Sequence, residues 1–482
     1  MKKRILFVLI SLVFVSQTLW AQNAKPPTKP AVKPTATPTP APATAPIAAP
    51  TAEAAKEKRP VIFIPGVLGS RLINGDTGEN VWVSIRRSKD DDMRLPMSAN
   101  LSANRDKLVA NQVLDKIKII KYFPKISVYQ GVVDFFQAAG YKRGDWENPH
   151  LDGAAGDHDT YYLFAYDWRR DNVESAAKLL QQIEQLRRKL GKPTLKFDIL
   201  AHSMGGLVVR YAAMYGRTDL TDNPRPNWEG TKFFHDICLF GVPNDGAMEA
   251  FDTMLNGYTF ATFAGRRHLG VLNSEVALSS PALFELLPHG DSLNFYDEEL
   301  QPVHLDIYDP ATWKTYGWSA AFDERFRSTL SKTALSQMDN YFTAVLGRAK
   351  KFHNALAVKT PPPPNLFFFT FGSNCKPTLD GAVVYKEKDS STWKTLTRGD
   401  SFLNSRGEKV DDKEVKKTLY KDGDGTVTKS SLMVDGLYAS AEKGTKPIGN
   451  AAAVFFACEN HASLMNNKII QDSVLEQLLR DQ

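Results

Sequence analysis

Residues 195–215 constrain the fold more tightly than any other part of this 482-residue chain. The apolar run Leu195 to Leu200 reads as a buried strand, and Gly206 to Tyr215 reads as a helix. Between them stands Ala201-His-Ser-Met-Gly205. So short a link brings strand and helix backbones nearly into contact, so the residues two before and two after the serine must be small, as Ala201 and Gly205 are. The turn strains the serine backbone and projects its side chain at the end of a strand. The N-terminus of the following helix favours negative charge there.

The rest of the body repeats this alternation. Val61-Ile-Phe-Ile64 is a short apolar strand ended by Pro65-Gly66. Val128, Val132, Phe135 and Phe136 recur at helical spacing as far as Gly140, and Tyr161-Tyr-Leu-Phe-Ala165 is the next strand. Residues 173–190 form an amphipathic helix stopped by Gly191-Lys-Pro193. Ile237-Cys-Leu-Phe240 is a strand ending in a Gly241-Val-Pro243 turn, Asn365 to Phe371 is another, and 467–480 is a closing helix. The expected class is α/β, a mostly parallel sheet with helices on both faces. Residues 246–360 lack strong strands and predict a helical insertion capping the strand C-termini. Residues 376–420, polar and Lys-rich, predict a second, looser insertion.

The N-terminus is an address. Met-Lys-Lys-Arg4, the apolar stretch Ile5 to Val15 and a small residue before Gln22 predict a signal peptide over 1–21, and hence export to a periplasmic, cell-surface or secreted location. Residues 22–59, rich in Pro, Ala and Thr, predict a disordered linker ahead of a single domain over 60–482. No later run approaches the length of a membrane span. The formal net charge of +6 resides in the signal segment and linker, and the body from Pro60 carries about −1. That distribution removes the case for a nucleic-acid partner.

Ser203 is a candidate nucleophile, and such a serine needs a base and an orienting acid. In this strand–turn–helix context the chain order is Ser, acid, His. Of nine histidines, only His461 follows every plausible acid. For the acid, Lys421-Asp-Gly-Asp-Gly-Thr-Val427 offers Asp424 first and Asp422 second, with Asp380 and then Asp245 as further candidates. As a calcium loop this segment fits poorly, because Val427 and Met433 stand where Gly and Glu are needed. The oxyanion hole requires two backbone amides. Met204, after the nucleophile, supplies one, and Val67, in the glycine-flanked turn Pro65-Gly-Val-Leu-Gly69, supplies the other. His202 receives no role. This chemistry requires no metal or organic cofactor.

Several segments coincide, in order, with one family. They are Pro60-Val-Ile-Phe-Ile-Pro-Gly-Val-Leu-Gly-Ser-Arg-Leu72, Gly140-Tyr-Lys-Arg143, Tyr166-Asp-Trp-Arg169, Ala201-His-Ser-Met-Gly-Gly206, Ser280-Pro-Ala-Leu-Phe-Glu-Leu-Leu-Pro288, Asp422-Gly-Asp-Gly-Thr-Val427 and His461. In these the chain resembles the lecithin:cholesterol acyltransferase and lysosomal phospholipase A2 family of α/β-hydrolases. The resemblance implies Ser203, Asp424 and His461 as catalytic triad and the amides of Val67 and Met204 as oxyanion hole. It also implies Trp82 as a lid tryptophan contacting acyl chains, with Asp167 and Arg169 bracing the core. The family's early lid disulfide is absent, since no cysteine precedes Cys238. Cys238, in a buried strand, is expected as a free thiol, whereas Cys375 and Cys458, near strand ends at the catalytic face, can pair in an oxidising compartment.

The expected function is serine-dependent acyl hydrolysis or O-acyl transfer on a phospholipid or other lipid ester through an acyl-Ser203 intermediate, with peripheral contact to a membrane surface. The alternatives are a general secreted carboxylesterase or depolymerase and a catalytically silent hydrolase-fold binding module.

Overall fold

The computed structural model describes residues 58–84, 92–117, 126–263, 267–322, 327–328, 331–433 and 453–479. The expected signal peptide and residues 22–57 of the expected linker lie outside them. The linker boundary at 59 moves: Arg59 is already part of the body, with Nε 2.9 Å from Asp198 Oδ1.

Seven parallel strands form the central sheet. In chain order they are β1 (Val61–Ile64), β2 (Lys142–Arg143), β3 (Thr160–Leu163), β4 (Phe197–His202), β5 (Phe234–Phe240), β6 (Phe367–Gly372) and β7 (Ala453–Phe456). Across the sheet the order is β7-β6-β5-β4-β1-β3-β2, and every pairing is parallel. Parallel strands are covered on both faces, so their apolar runs are continuous. Ile62, Ile64, Ile199, Ala201, Ile237 and Leu239 face one core, and Val61, Phe63, Leu200, Cys238 and Phe240 face the other. The first core is closed by α2 (Asn172–Leu190) and α3 (Met204–Tyr215), and the second by α1 (Gln130–Ala138) and α6 (Lys468–Leu479).

The two insertions differ from their expectation. Residues 246–360 hold α4 (Met248–Asn256) and α5 (Lys332–Leu356), but also an antiparallel hairpin, Tyr258–Phe263 with Arg267–Leu272. Nor is 376–420 loose. Its strand Gly381–Tyr385 is fully buried and pairs in parallel with Asn294–Tyr296 of the first insertion. The pairing partner lies some ninety positions away along the chain, so no local pattern announces it. The two insertions therefore share one small sheet.

Candidate active site

Ser203 stands at the end of β4 with φ 52° and ψ −129°, a strained conformation that turns the chain into α3 at once. The strain is held by the Ser203 N–H, which donates to Phe240 O at 2.8 Å. The sequence rule about small flanks is met for a measurable reason: a Cβ on Gly205 would lie 2.5 Å from Pro65 O. Met204 is the first residue of α3, so its N–H has no acceptor within the helix. In the loop after β1, Gly69 N–H donates to Gly66 O at 3.1 Å, closing a turn that leaves the Val67 N–H without a partner among the described residues. Val67 and Ser203 line the same cleft.

His461 opens the short helix His461–Asn466 that follows β7. Its Nδ1–H donates to Asp424 Oδ2 at 2.8 Å, which leaves Nε2 as the basic nitrogen. Its backbone N–H donates to Asp424 O at 2.9 Å. The other oxygen of Asp424 accepts from the amides of Thr426 and Val427. Burial alone would raise this carboxyl. The His461 ring and these two amides outweigh burial and hold it below the usual carboxylate range. The remaining acids are elsewhere. Asp422 is exposed, the Asp380 carboxylate accepts from Asn294 Nδ2, and Asp245 carries a hydrogen bond to Ser431 through its backbone N–H. Ser203 Oγ makes no hydrogen bond to a described residue; in hydrolases of this type that contact often tightens only when substrate binds.

Three features of the site were not legible as such. Gly241, at the end of β5, has φ 55°, and a Cβ there would lie 2.9 Å from each of Asp424 Oδ2, His461 Nδ1 and Leu464 Cδ1. Its only sequence signal was a turn. Secondly, His202 is not idle. Its Nε2–H donates to His461 O at 3.1 Å, so its Nδ1 accepts the Tyr129 hydroxyl at 2.9 Å. The Tyr129 oxygen in turn accepts Gly66 N–H at 3.0 Å. Burial, then the nearby His461, pushes the His202 imidazole down to about 3, so it stays neutral. This neutral chain ties the Gly66–Gly69 turn, the elbow and the His461 loop together. Thirdly, Asp106 joins Asp167 in holding the buried Arg169 guanidinium, at 2.6 Å for Asp106 Oδ2 and 2.7 Å for Asp167 Oδ2, which gives the expected brace a partner.

The expectation for Trp82 is corrected. It is fully buried, packs edge-on to Trp168 at 5.4 Å and is not among the residues lining the cleft. Its Nε1–H donates to Leu68 O at 2.9 Å, so it supports the Gly66–Gly69 turn from behind. The indole meets the core rather than an acyl chain because β-strand Asn80–Trp82 pairs with Ser70–Asn74 and turns it inward.

The cleft above Ser203 has a volume of about 200 Å³. Its walls are mostly apolar, with Leu68, Val128, Ala250, Leu272, Leu283 and Leu286 around Ser203 and His461. An imidazole oriented by a buried carboxylate, lining one cleft with a strained serine at a helix N-terminus, suits acyl transfer.

A parallel sheet carrying this elbow, with acid and base supplied by loops after later strands, defines an α/β-hydrolase of the serine type. The sequence profile of the lecithin:cholesterol acyltransferase family matches residues 105–448, and the chain belongs to that family. It is 23% identical over 431 residues to lecithin-cholesterol acyltransferase-like 4 of Arabidopsis thaliana, covering 80% of this chain and 71% of that one. Among solved structures, the crystal structure of the Tle4–Tli4 complex matches with a TM-score of 0.50 at 16% identity, covering 88% of this chain and 98% of that one. The protein is therefore a lipid acyl hydrolase or acyltransferase.

Proposed function

We propose that the protein is exported and cleaves acyl esters of phospholipids at a membrane surface, passing the acyl group from Ser203 to water or to an alcohol. In this reading Ser203 Oγ attacks the ester carbonyl as His461 Nε2 takes its proton. The amides of Val67 and Met204 stabilise the oxyanion, and Asp424 balances the imidazolium. The proton then leaves with the departing alcohol. In the second half-reaction water or an acceptor alcohol gives its proton to His461 and takes the acyl group, and His461 returns that proton to the departing Ser203 Oγ.

The observation that carries this reading is the mostly apolar cleft that ends on Ser203 and His461. Beside it the hairpin exposes Tyr258 and Val271, which suits peripheral contact with lipid. The basic-then-apolar N-terminus and the Cys375–Cys458 disulfide support export.

The test is lipid mass spectrometry after incubating purified protein with phospholipid vesicles, with and without a sterol or long-chain alcohol. Free fatty acid indicates hydrolysis and a new ester indicates transfer. Ser203→Ala should remove both products and abolish fluorophosphonate labelling. Activity confined to short soluble esters would overturn the membrane-surface part in favour of a general esterase. An unlabelled wild type would indicate a silent binding module.

A further inference from the structure

Two segments must hold still for the reaction proposed above, the Gly66–Gly69 turn that carries the Val67 amide and the loop that carries His461. The turn is strained. Leu68 has φ 63°, which disfavours any residue with a side chain, so its surroundings must hold it there. The Tyr129 hydroxyl is placed to act on both segments. Tyr129 is buried, lies on the wall of the cleft and directly precedes α1. Its ring meets Phe63 edge-on at 4.9 Å, and a Cβ on Gly69 would lie 3.0 Å from Tyr129 Cε2. Packing therefore fixes the ring, and the ring fixes the oxygen.

The two ends of the hydrogen-bonded chain dictate the direction of every proton in it. Gly66 N–H can only donate, so the Tyr129 oxygen accepts at 3.0 Å. His461 O can only accept, so His202 Nε2 carries the proton that reaches it at 3.1 Å. A neutral imidazole has a single N–H, so Nδ1 is bare and takes the Tyr129 proton at 2.9 Å. Burial keeps the ring neutral and the phenol protonated. Tyr129 is thus the member that accepts from the turn and donates to the ring at once. Without its hydroxyl the Gly66 amide has no acceptor, and His202 is free to move its proton to Nδ1 and release His461 O. The His461 peptide would then be held only through its own N–H, which donates to Asp424 O.

We propose that Tyr129 is a positioning residue for acyl transfer, whose hydroxyl sets the tautomer of His202 and so holds the Val67 turn and the His461 loop in register with Ser203. This rests on the acyl-enzyme reading and adds to it a residue that acts through others.

The test compares wild type, Tyr129→Phe, His202→Gln and the double variant on p-nitrophenyl decanoate in neutral-detergent micelles. Fluorophosphonate titration counts competent sites, and a thermal melt checks folding. Tyr129→Phe removes the oxygen and keeps the ring contacts. Its kcat should fall at least about tenfold while KM stays within about twofold, since the apolar walls are intact. His202→Gln offers Tyr129 no acceptor at the Nδ1 position and should lose as much. The double variant should be no worse than the poorer single variant, because both changes break one chain. NMR of the wild-type imidazole nitrogens should show His202 protonated at Nε2 alone from about pH 5 to about pH 8. An unchanged kcat in Tyr129→Phe, losses that multiply in the double variant, or a proton on His202 Nδ1 in the wild type overturns the proposal. Should Tyr129→Phe fail to fold, His202→Gln and the histidine spectrum carry the test. If the wild type neither cleaves the ester nor takes the fluorophosphonate, the acyl-enzyme reading itself falls. An active wild type whose kcat survives Tyr129→Phe sinks the Tyr129 proposal alone.

Discussion

A single missing side chain keeps the acid and base together. The Asp424–His461 pair is buried against Gly241, whose absent Cβ would sit 2.9 Å from both Asp424 Oδ2 and His461 Nδ1. With φ at 55°, alanine there is also conformationally strained. Gly241→Ala should therefore lower kcat/KM on a neutral ester by at least about a hundredfold, equivalent to roughly 3 kcal/mol of transition-state stabilisation. The protein should stay folded, since β5 itself is untouched. Ester kinetics beside a thermal melt check this, and full activity in the variant would mean the pair can relocate. At this scale sequence reading went far. Ser203 announces itself through its local turn, and His461 through chain order. The choice of Asp424 over Asp422 was not local, because two positions apart in one turn they differ only in which carboxylate faces inward. Gly241 reads only as a turn and His202 receives no role from the sequence, because a contact with residues far along the chain leaves no mark on a glycine or on a lone histidine.

At the scale of elements, the loops after β6 and β7 share a covalent tie. Cys375 follows β6 and Cys458 follows β7, three residues ahead of His461, and their disulfide closes a separation of 83 residues. Cross-linking a loop of that length is worth about 4.5 kcal/mol in the chain-entropy model. The double variant Cys375→Ser with Cys458→Ser should unfold at lower denaturant by about that amount and lose several-fold in kcat as the His461 loop loosens. Denaturant titration and ester kinetics in the absence of reductant decide it. An unchanged midpoint would show that packing of Leu464 and Met465 suffices. The cap belongs to the same scale and was the least legible part. Asn294–Tyr296 and Gly381–Tyr385 become strands only because each supplies the other's hydrogen bonds.

For the molecule as a whole, the site end of the sheet is balanced by a charged clamp at the opposite end. Arg59 enters ahead of β1 and bridges Asp198 of β4 to Asp236 of β5, both fully buried. Removing one partner of such a group leaves uncompensated buried charge, so Arg59→Met should cost about 3 kcal/mol or more at neutral pH. The pH dependence follows from the Asp198 carboxyl, which burial pushes up to about 6 in the folded protein even with Arg59 in place. A carboxyl raised on folding holds its proton longer in the native state. Its stability contribution is thus lost as pH rises from the unfolded carboxylate range through about 6. The variant's deficit should accordingly be largest above that value and shrink below it, as denaturation at several pH values will show. A deficit independent of pH would mean that Asp198 is not the group responsible.

By itself the sequence determined what is set by neighbours along the chain. It specified the alternation of strand and helix that makes a parallel sheet, the small residues that let β4 turn into α3, and the serine at that turn. Periodicity, turn chemistry and steric limits at an elbow are short-range properties, so a few consecutive residues suffice to state them. Only the tertiary structure decided which acid meets His461, that Trp82 faces the core, and that two insertions share one sheet. It also decided that Tyr129, His202 and Gly66 form one hydrogen-bonded chain. Each of these depends on which distant segment occupies the space beside a given side chain, and packing settles that only once the sheet has ordered its strands.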